Sequence, residues 1–355
     1  MAYTNIDDPS AHFQTLLWTG NDVDGRALTN DGNSDLQPDL VWLKNRNVGY
    51  NHFLQDSSRG TSVYLSSNTT TGDTTWTNLV ESFDTNGFTV GDDGSQVPNH
   101  TGNTFVGWQW KANGGTTASN SDGSITSTVQ ANQDAGFSIV QYTGTGSAAT
   151  IGHGLGVAPA MYIVKNRDQT GTNWTIFHKN LTSNAYSLYF NTAAQSNSVG
   201  YWNGTSPTST VFSIKNTSGD VNTNTEDYVA YCFAEKQGYS KFGKYVGNGS
   251  TDGNAPFVYT GFKPAFVMVK NATDSGVSWM IQDHKRDIDN PVHHRLKANA
   301  SDAEATNINQ MDFLSNGFKC RVNDSSWNLS GKTYIYMAFA ENPFTTSTGI
   351  PTTAR

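Results

Sequence analysis

The sequence has little charge, few helix-forming stretches and only two cysteines, and each shortage narrows the class of protein. Charged residues make up 15% of its 355 residues and hydrophobic residues 35%. Disordered chains combine low hydrophobicity with high charge, so the low charge argues against disorder. The chain is rich in Gly, Ser, Thr and Asn and contains 12% aromatic residues, a composition typical of β-sheets joined by many turns. No long segment carries apolar residues at helical spacing.

The net charge and the length of the apolar runs argue against several classes of function. A formal net charge of −8 leaves no basic stripe to neutralise phosphates, which argues against nucleic-acid binding. No apolar run reaches transmembrane length, and the acidic, polar N-terminus does not have the pattern of a signal peptide. Cys232 and Cys320 lie in strand-like apolar stretches and are predicted to be buried free thiols. We therefore expect synthesis in a reducing cytoplasm.

One phrase occurs three times along the chain. It reads LQPDLVWLKNR at residues 36–46, VAPAMYIVKNR at residues 157–167 and FKPAFVMVKNA at residues 262–272. Other anchors recur around it in the same order: an aromatic residue two places before a glycine, a strand-like piece, a Leu-x-x-Asn step and a closing aromatic strand. So many ordered anchors indicate tandem repeats.

The copies lie roughly 120 and 105 residues apart, whereas solenoid repeats are about 20–50 residues long. Each copy is large enough for a β-sandwich of about seven short strands. The sequence therefore predicts an all-β protein of three tandem antiparallel β-sandwich domains. They are the first repeat (residues 1–112), the second repeat (137–238) and the third repeat (239–355), with residues 113–136 forming a linker that carries one extra strand.

The repeated phrase itself predicts packing and no chemistry. Pro38, Pro159 and Pro264 lack an N–H and are expected at a strand start or edge. The run that follows, residues 40–43 in the first copy, is apolar at every position, which suits a strand buried on both faces. The second face must then be covered by a loop, a neighbouring domain or another chain. Lys44 is expected to end the strand with its ammonium in water.

Several polar motifs in the sequence are candidates for binding or metal sites. Asp56/Arg59 and Asp283/Arg286 share the pattern Asp-x-x-Arg, which predicts a surface salt bridge more readily than a ligand site. His153, in a glycine-rich loop, is expected to be exposed. Metal binding is not predicted, because the clustered histidines lack convincing ligand spacing and the calcium-like oxygen series lacks its closing glutamate. These two groups are His284, His293 and His294, and Asp31, Asn33 and Asp35.

No catalytic constellation stands out, so no enzymatic activity and no cofactor are predicted. The remaining candidates are Trp76, Tyr201, Trp202 and Trp327, which lie beside Asn, Ser, Thr or Gly in segments that differ between copies. An aromatic ring beside amides suits a sugar, whose apolar face packs on the ring. The alternative is that these rings pack over the edge of a core or against a partner.

The wording of several segments resembles a known family. GFKPAFVMVKNATD (residues 261–274), DFLSNGFKCRVND (312–324), SGKTYIYMAFAENPF (330–344) and DGSITSTVQANQDAGFSIVQYTGTG (122–146) are similar to repeat domains of structural proteins of marine bacteriophages, often described as tail fibres. The resemblance implies lectin-like (concanavalin-like) sandwiches in a virion component. It implies no established catalytic or ligand residues.

Two functions follow as expectations. The first is a tail-associated adhesin that recognises a host-surface glycan, and the alternative is a decoration or cement protein with a purely structural role. Either protein would be located in the virion, contact other virion proteins and form a homo-oligomer, a trimer or higher. Neither would bind nucleic acid or a membrane. Any site that recognises an outside partner is expected where the three copies differ.

Overall fold

The protein is built almost entirely of antiparallel β-strands, as the sequence predicted. A computed structural model describes residues 2–194, 196–306 and 308–352. Within these residues the helices are two short 3-10 turns, Pro9–Ala11 and Asp252–Asn254.

The strands follow the three repeats. The first repeat contains β1 (Phe13–Thr19), β2 (Arg26–Thr29), β3 (Leu40–Asn45), β4 (Phe53–Asp56), β5 (Val63–Tyr64), β6 (Thr74–Thr75), β7 (Val80–Asp84), β8 (Gly87–Val90) and β9 (Thr104–Trp110). The linker contains β10 (Ala118–Asn120) and β11 (Ser127–Asn132). The second repeat contains β12 (Phe137–Thr143), β13 (Ala149–Gly152), β14 (Met161–Asn166), β15 (Thr175–His178), β16 (Leu188–Tyr189), β17 (Val211–Ile214) and β18 (Asp227–Phe233). The third repeat contains β19 (Ser240–Val246), β20 (Phe257–Tyr259), β21 (Phe262–Asn271), β22 (Met280–Asp283), β23 (Leu296–Lys297), β24 (Met311–Leu314), β25 (Gly317–Cys320) and β26 (Thr333–Pro343).

The same strand order recurs in the three main sheets. It is β1-β9-β3-β4 in the first repeat, β12-β18-β14-β15-β16 in the second and β19-β26-β21-β22-β23 in the third. The linker strands β10 and β11 extend the second of these sheets beyond β12. The repeated phrase supplies β3, β14 and β21, which lie inside their sheets. Pro38 and Pro159 precede their strands, and Pro264 lies in β21 at a register irregularity, where its missing N–H disrupts the ladder least.

A smaller sheet packs on one face of each main sheet. These sheets are β2-β8-β7, β13-β17 and β20-β25-β24. Between the two layers lies an outer core in each repeat. In β3, for example, Val41 and Leu43 point into the outer core of the first repeat.

The opposite faces of the three main sheets meet in one central core. Leu40 and Trp42 of β3 point into it, as do Met161 and Ile163 of β14 and the corresponding residues of β21. The second face of the apolar phrase is therefore covered by the neighbouring repeats, one of the three coverings that the sequence left open. Each repeat therefore has an outer core of its own and shares the central core with the other two.

A triangle of aromatic rings marks the centre of this pseudo-threefold arrangement. Trp110, Phe233 and Phe339 occupy the same position in the closing strands β9, β18 and β26. Their ring centroids are 6.4 Å (Trp110–Phe233), 5.7 Å (Trp110–Phe339) and 6.0 Å (Phe233–Phe339) apart. Such spacings are typical of packed aromatic pairs. One ring from each repeat thus joins the three sheets.

Three buried lysines connect the repeats in a cycle. Lys165 of the second repeat donates to the carbonyl oxygen of Thr70 in the first repeat at 3.2 Å. Lys44 of the first reaches Ser301 of the third at 3.3 Å, and Lys270 of the third reaches Ala193 of the second at 3.2 Å. Each acceptor lies two residues after the asparagine of a Leu-x-x-Asn step. The expectation that Lys44 extends into water was wrong, because its ammonium donates hydrogen bonds to backbone carbonyl oxygens inside the protein.

Ring nitrogens connect the repeats in the same direction. Trp174 donates through Nε1 to the carbonyl oxygen of Ser66 at 2.7 Å, and Trp279 donates to that of Tyr189 at 2.9 Å. His52 occupies the corresponding position in the first repeat. Its Nε2 lies 3.0 Å from the carbonyl oxygen of Lys297, and its Nδ1 accepts from the indole of Trp42. Each junction therefore has one ring donor as well as one ammonium donor.

The two Asp-x-x-Arg pairs are also part of these junctions. Arg59 and Asp56 have no exposed side-chain area and are 2.6 Å apart, and Arg286 and Asp283 repeat this geometry. The prediction of surface salt bridges was wrong, because a neighbouring repeat covers both pairs. Arg59 also contacts Asp73, at 2.7 Å.

The carboxylates that accept from these arginines also reach into the next repeat. Asp73 of the first repeat contacts Arg167 of the second at 2.8 Å. Glu304 of the third repeat lies between Arg286, at 2.7 Å, and Arg46 of the first repeat, at 2.8 Å. Two junctions are therefore bridged by a carboxylate held between two arginines.

At the junction between the second and third repeats, the three corresponding positions carry uncharged residues. Leu181, Ser196 and Ala272 stand where the other junctions have arginine, carboxylate and arginine. The backbone contact remains, since the N–H of Ser196 donates to the carbonyl oxygen of Ala272 at 3.3 Å. His178 replaces the aspartate, and its Nε2 lies 3.2 Å from the carbonyl oxygen of Tyr336. The whole set of charges is replaced together, so no buried carboxylate is left unpaired.

Candidate functional site

The structure places most of the aromatic residues proposed from the sequence inside the protein. Trp202 and Trp327 have no exposed area and Tyr201 is 5% exposed. Trp76 is half-buried and packs against Phe53 and Tyr64. The core-packing alternative describes Tyr201, Trp202 and Trp327, because their ring faces are covered and cannot stack on a sugar in this structure.

The other polar candidates are also accounted for by internal contacts. His153 is buried, contrary to expectation, and its Nδ1 accepts from the N–H of Leu155. His294 contacts Asp287 at 2.7 Å, and Asp31 pairs with Lys285 at 2.8 Å. Within the described residues, no group of three His, Cys, Asp or Glu side chains is arranged to hold a metal ion. Cys232 and Cys320 are buried free thiols, as predicted.

Two other aromatic residues are exposed at the surface. Phe257 is 45% exposed and Tyr259 is 54% exposed. Every other Phe, Tyr and Trp in the described part of the chain is less exposed than these two. Two neighbouring exposed rings form a small apolar patch, and apolar patches on a protein surface are the usual places where partners bind. We call these two residues the aromatic pair.

The backbone explains how the aromatic pair is presented. Phe257 and Tyr259 are alternate residues of β20, so they lie on the same face, while Val258 between them points into the outer core. β20 is an edge strand of the small sheet of the third repeat. The ring of Phe257 lies over Gly317, where a Cβ atom would come within 3.0 Å of two ring carbons. Glycine is required there first by the backbone, because the same Cβ atom would lie 2.1 Å from the carbonyl oxygen of Val258.

The aromatic pair is specific to the third repeat. Aligned by strand pairing, the residues that correspond to Phe257 and Tyr259 are Ala27 and Thr29 in the first repeat. They are Thr150 and Gly152 in the second. The sequence alone offered a signal for this site, since the same positions could be compared across the copies. We missed it because the pair lies in a strand and not in a polar loop.

Hydrogen-bonding groups surround the aromatic pair. The hydroxyl of Tyr3 donates to the carbonyl oxygen of Gly261 at 2.6 Å and lies 3.3 Å from the hydroxyl of Tyr259. Burial raises the pKa of Tyr3, so its hydroxyl keeps the proton that it donates to Gly261. Lys319 lies opposite Phe257 on β25 and donates to the carbonyl oxygen of Gly253 at 3.1 Å. Aromatic faces bordered by hydroxyl and ammonium groups suit a hydroxyl-rich ligand.

These features define an all-β protein of interlocked repeats that presents one exposed aromatic pair. The chain belongs to the DUF7483 family, described as a domain of unknown function, whose model matches residues 8–343. No curated protein and no solved structure is detectably similar to it. Among the described residues, no helix has the length and apolarity needed to cross a membrane.

Proposed function

We propose that the protein is a bacteriophage virion structural protein of the adhesin type, which binds a host-surface glycan through Phe257 and Tyr259. The observation that carries this proposal is the exposed aromatic pair, present in one repeat and replaced by small residues in the other two. Sugar rings stack on such faces while their hydroxyls bond to groups at the rim. The resemblance of the sequence to marine phage structural proteins supports the virion assignment and the lectin-like character.

The aromatic pair is held on a rigid part of the molecule. It is held on a sheet whose opposite face contributes to the outer core of the third repeat, and that repeat is joined to both others. A binding surface on such a scaffold is preorganised, so little conformational entropy is lost when a ligand binds. We propose no enzymatic activity and no cofactor for this surface.

A glycan array tests the proposal with protein displayed in many copies on beads. We expect binding to at least one class of bacterial surface glycan and a loss of at least about tenfold for F257A/Y259A, because aromatic stacking supplies much of the contact. The matched control is T29A/T150A, which truncates the exposed Thr29 and the half-buried Thr150 at the corresponding positions of the other repeats. Equal binding by both double variants would count against the aromatic pair as the site.

The second candidate function is a decoration or cement protein on the capsid or tail. The interlocked junctions favour it, because paired charges and lysines buried between repeats make a rigid block. Copy number in an electron-microscopy map of the virion distinguishes the two. We expect an adhesin at few to tens of copies beside the tail and a decoration protein at hundreds of copies on the head.

We propose contacts with other virion proteins and association into a homo-oligomer under either function. The apolar strands that led to this expectation have their second face covered within the chain. The proposal of an oligomer therefore depends on the resemblance to virion proteins. Light scattering of the purified 38.5 kDa chain measures it directly.

A further inference from the structure

A cleft of about 380 Å³ lies between the first and third repeats. One wall comes from β1 and the loop at residues 31–33, and the other from the start of β21 and the ends of β22 and β26. Its volume lies within the usual range for small-molecule sites, about 300–1,000 Å³. The proposed function does not use this cleft.

The charged groups in and beside the cleft pair with one another. Lys285 of the third repeat binds Asp31 of the first at 2.8 Å, which links the two walls. Glu341 lies 2.8 Å from Lys263 and 3.3 Å from His284. Burial lowers the pKa of His284, so the imidazole is neutral at pH 7. Two cations and two anions then balance, and the cleft has no excess charge to attract an ion.

Uncharged polar groups remain in the cleft for a ligand. The hydroxyl of Thr15 is buried and makes no hydrogen bond within the described part of the protein. A buried hydroxyl without a partner costs free energy that a ligand can recover. The amides of Asn33 and Asn342 also line the cleft.

An apolar wall faces these polar groups. Phe13, Ala265 and Ala340 form its inner part, and Ile288 stands at the opening with 74% of its area exposed. An apolar wall opposite hydroxyl and amide groups matches a sugar ring, which has one face of C–H groups and hydroxyls around its edge.

The position of Ala265 is occupied by a larger, charged residue in the first repeat. Asp39 follows Pro38 as Ala265 follows Pro264, and its carboxylate accepts from three backbone N–H groups of the chain that follows β9. The distances are 2.7 Å to Ala112, 2.9 Å to Gly114 and 2.7 Å to Gly115. In the third repeat, Ala265 has no such carboxylate, and the space beside it is the cleft.

We propose that this cleft is a second binding site, which takes one uncharged sugar ring. The ring lies against the wall formed by Phe13, Ala265 and Ala340, and one ring hydroxyl bonds to Thr15. The inference rests on the proposed function in that both assign sugar chemistry to this protein, but the two sites share no side chain.

Methyl NMR of the full chain, labelled at isoleucine δ1 methyl groups, tests this site. Glucose, galactose and mannose are titrated separately, and we expect at least one to shift the Ile288 methyl signal with millimolar affinity, which is ordinary for a single sugar unit. Thr15→Val keeps the shape and removes the hydroxyl, and it should weaken binding about three- to tenfold. Thr175→Val is the matched control, because the Thr175 hydroxyl is also buried with no hydrogen-bond partner in the described ranges but lies in β15.

Three outcomes overturn the proposal: no sugar shifts Ile288, both threonine variants bind equally, or F257A/Y259A abolishes the Ile288 shift. A shift of Ile288 that survives in F257A/Y259A supports the cleft. That result stands even if the glycan array is negative, so failure of the aromatic pair and failure of the cleft are distinguishable.

Discussion

The indole nitrogen of Trp108 in the first repeat donates a hydrogen bond of 3.0 Å to the carboxylate of Asp283 in the third. Asp56 accepts in the same way from the hydroxyl of Tyr231 in the second repeat, at 2.7 Å. The third repeat has Met337 at the donor position and the second has His178 at the acceptor position. At the junction between the second and third repeats, both the donor and the acceptor of this bond are therefore replaced.

The first prediction concerns the contribution of the Trp108–Asp283 hydrogen bond to stability. Trp108→Phe should lower the free energy of unfolding by about 1–3 kcal/mol more than Trp110→Phe, because only the loss of the Trp108 indole removes one of the donors to a buried carboxylate. Trp110 is the matched control, since it loses the same ring and its Nε1 has no hydrogen-bond partner among the described residues. Urea denaturation gives both values. Equal losses would show that the Trp108–Asp283 bond contributes little.

The second prediction concerns the arginines at the junctions. Arg59→Leu gives the first repeat the residue that the second repeat has at this position, Leu181. Asp56 and Asp73 remain, so two carboxylates then lie close together without the guanidinium that paired with both. Removing one partner of a buried ion pair costs about 3–5 kcal/mol. Arg321 pairs with Asp312 at the surface, so Arg321→Leu should cost at most about 1 kcal/mol. Thermal and urea unfolding of the two variants compare them, and similar losses would contradict the buried network.

The third prediction follows from the three junction lysines. Burial lowers the pKa of Lys44, Lys165 and Lys270 to about 8, while the unfolded chain keeps its lysines near 10.4. Between these values the unfolded state binds more protons, so the free energy of unfolding should rise with pH from about 8. The slope should reach about 1.4 kcal/mol per pH unit for each lysine.

The rise in the free energy of unfolding should end near pH 10. At that pH tyrosines ionise in the unfolded chain, whereas burial raises the pKa of Tyr142 and Tyr162 in the folded protein and keeps them protonated. The folded state then binds more protons than the unfolded state, so further increase in pH destabilises it. Urea unfolding at several pH values between 7.5 and 9.5 measures the slope. Lys165→Met should remove about one third of the lysine contribution. A slope unchanged in this variant would show that Lys165 titrates normally.

The fourth prediction concerns acid. Burial lowers the pKa of His178 to about 4, and its Nδ1 accepts from the N–H of Asn180, so the folded protein holds the neutral ring. In the unfolded chain this histidine binds a proton near pH 6.5. Stability from His178 is therefore complete above pH 6.5 and is lost as the pH falls toward 4, by about 2–3 kcal/mol.

His178→Gln checks this contribution, because glutamine has no charge to gain. The variant should lose less stability than the native protein between pH 6.5 and 4.5. The control is His294→Gln, which changes a partly exposed ring paired with Asp287. If both variants follow the native pH dependence, His178 is not a source of the acid sensitivity.

The sequence predicted the strands well and their surroundings poorly. Alternating turn signals and the proline positions indicated β3, β14 and β21, and their apolar runs required cover on both faces. Lys44 was misjudged because hydropathy treats an ammonium as a surface group, and only the folded chain places the carbonyl of Ser301 beside it. Arg59 was misjudged for the same reason, since its cover comes from another repeat.

The candidate site was misjudged because local composition was used as a measure of exposure. Trp202 and Trp327 stand beside asparagines and serines but point into the outer cores of their own repeats. Phe257 and Tyr259 were overlooked, because alternate aromatics in a strand ordinarily indicate a buried face. The face that β20 turns to solvent depends on the pairing of β20 with β25, which only the structure shows.

The closed cycle of junctions has a consequence for the order in which the chain is made. Arg46 pairs with Glu304, which lies 258 residues later, so the first repeat leaves the ribosome long before this partner exists. Until then, the apolar and charged surfaces around β3 and β4 have no cover from the third repeat. A nascent or truncated chain would therefore present adhesive surface that the finished protein conceals, and premature termination should yield aggregates instead of a smaller folded fragment.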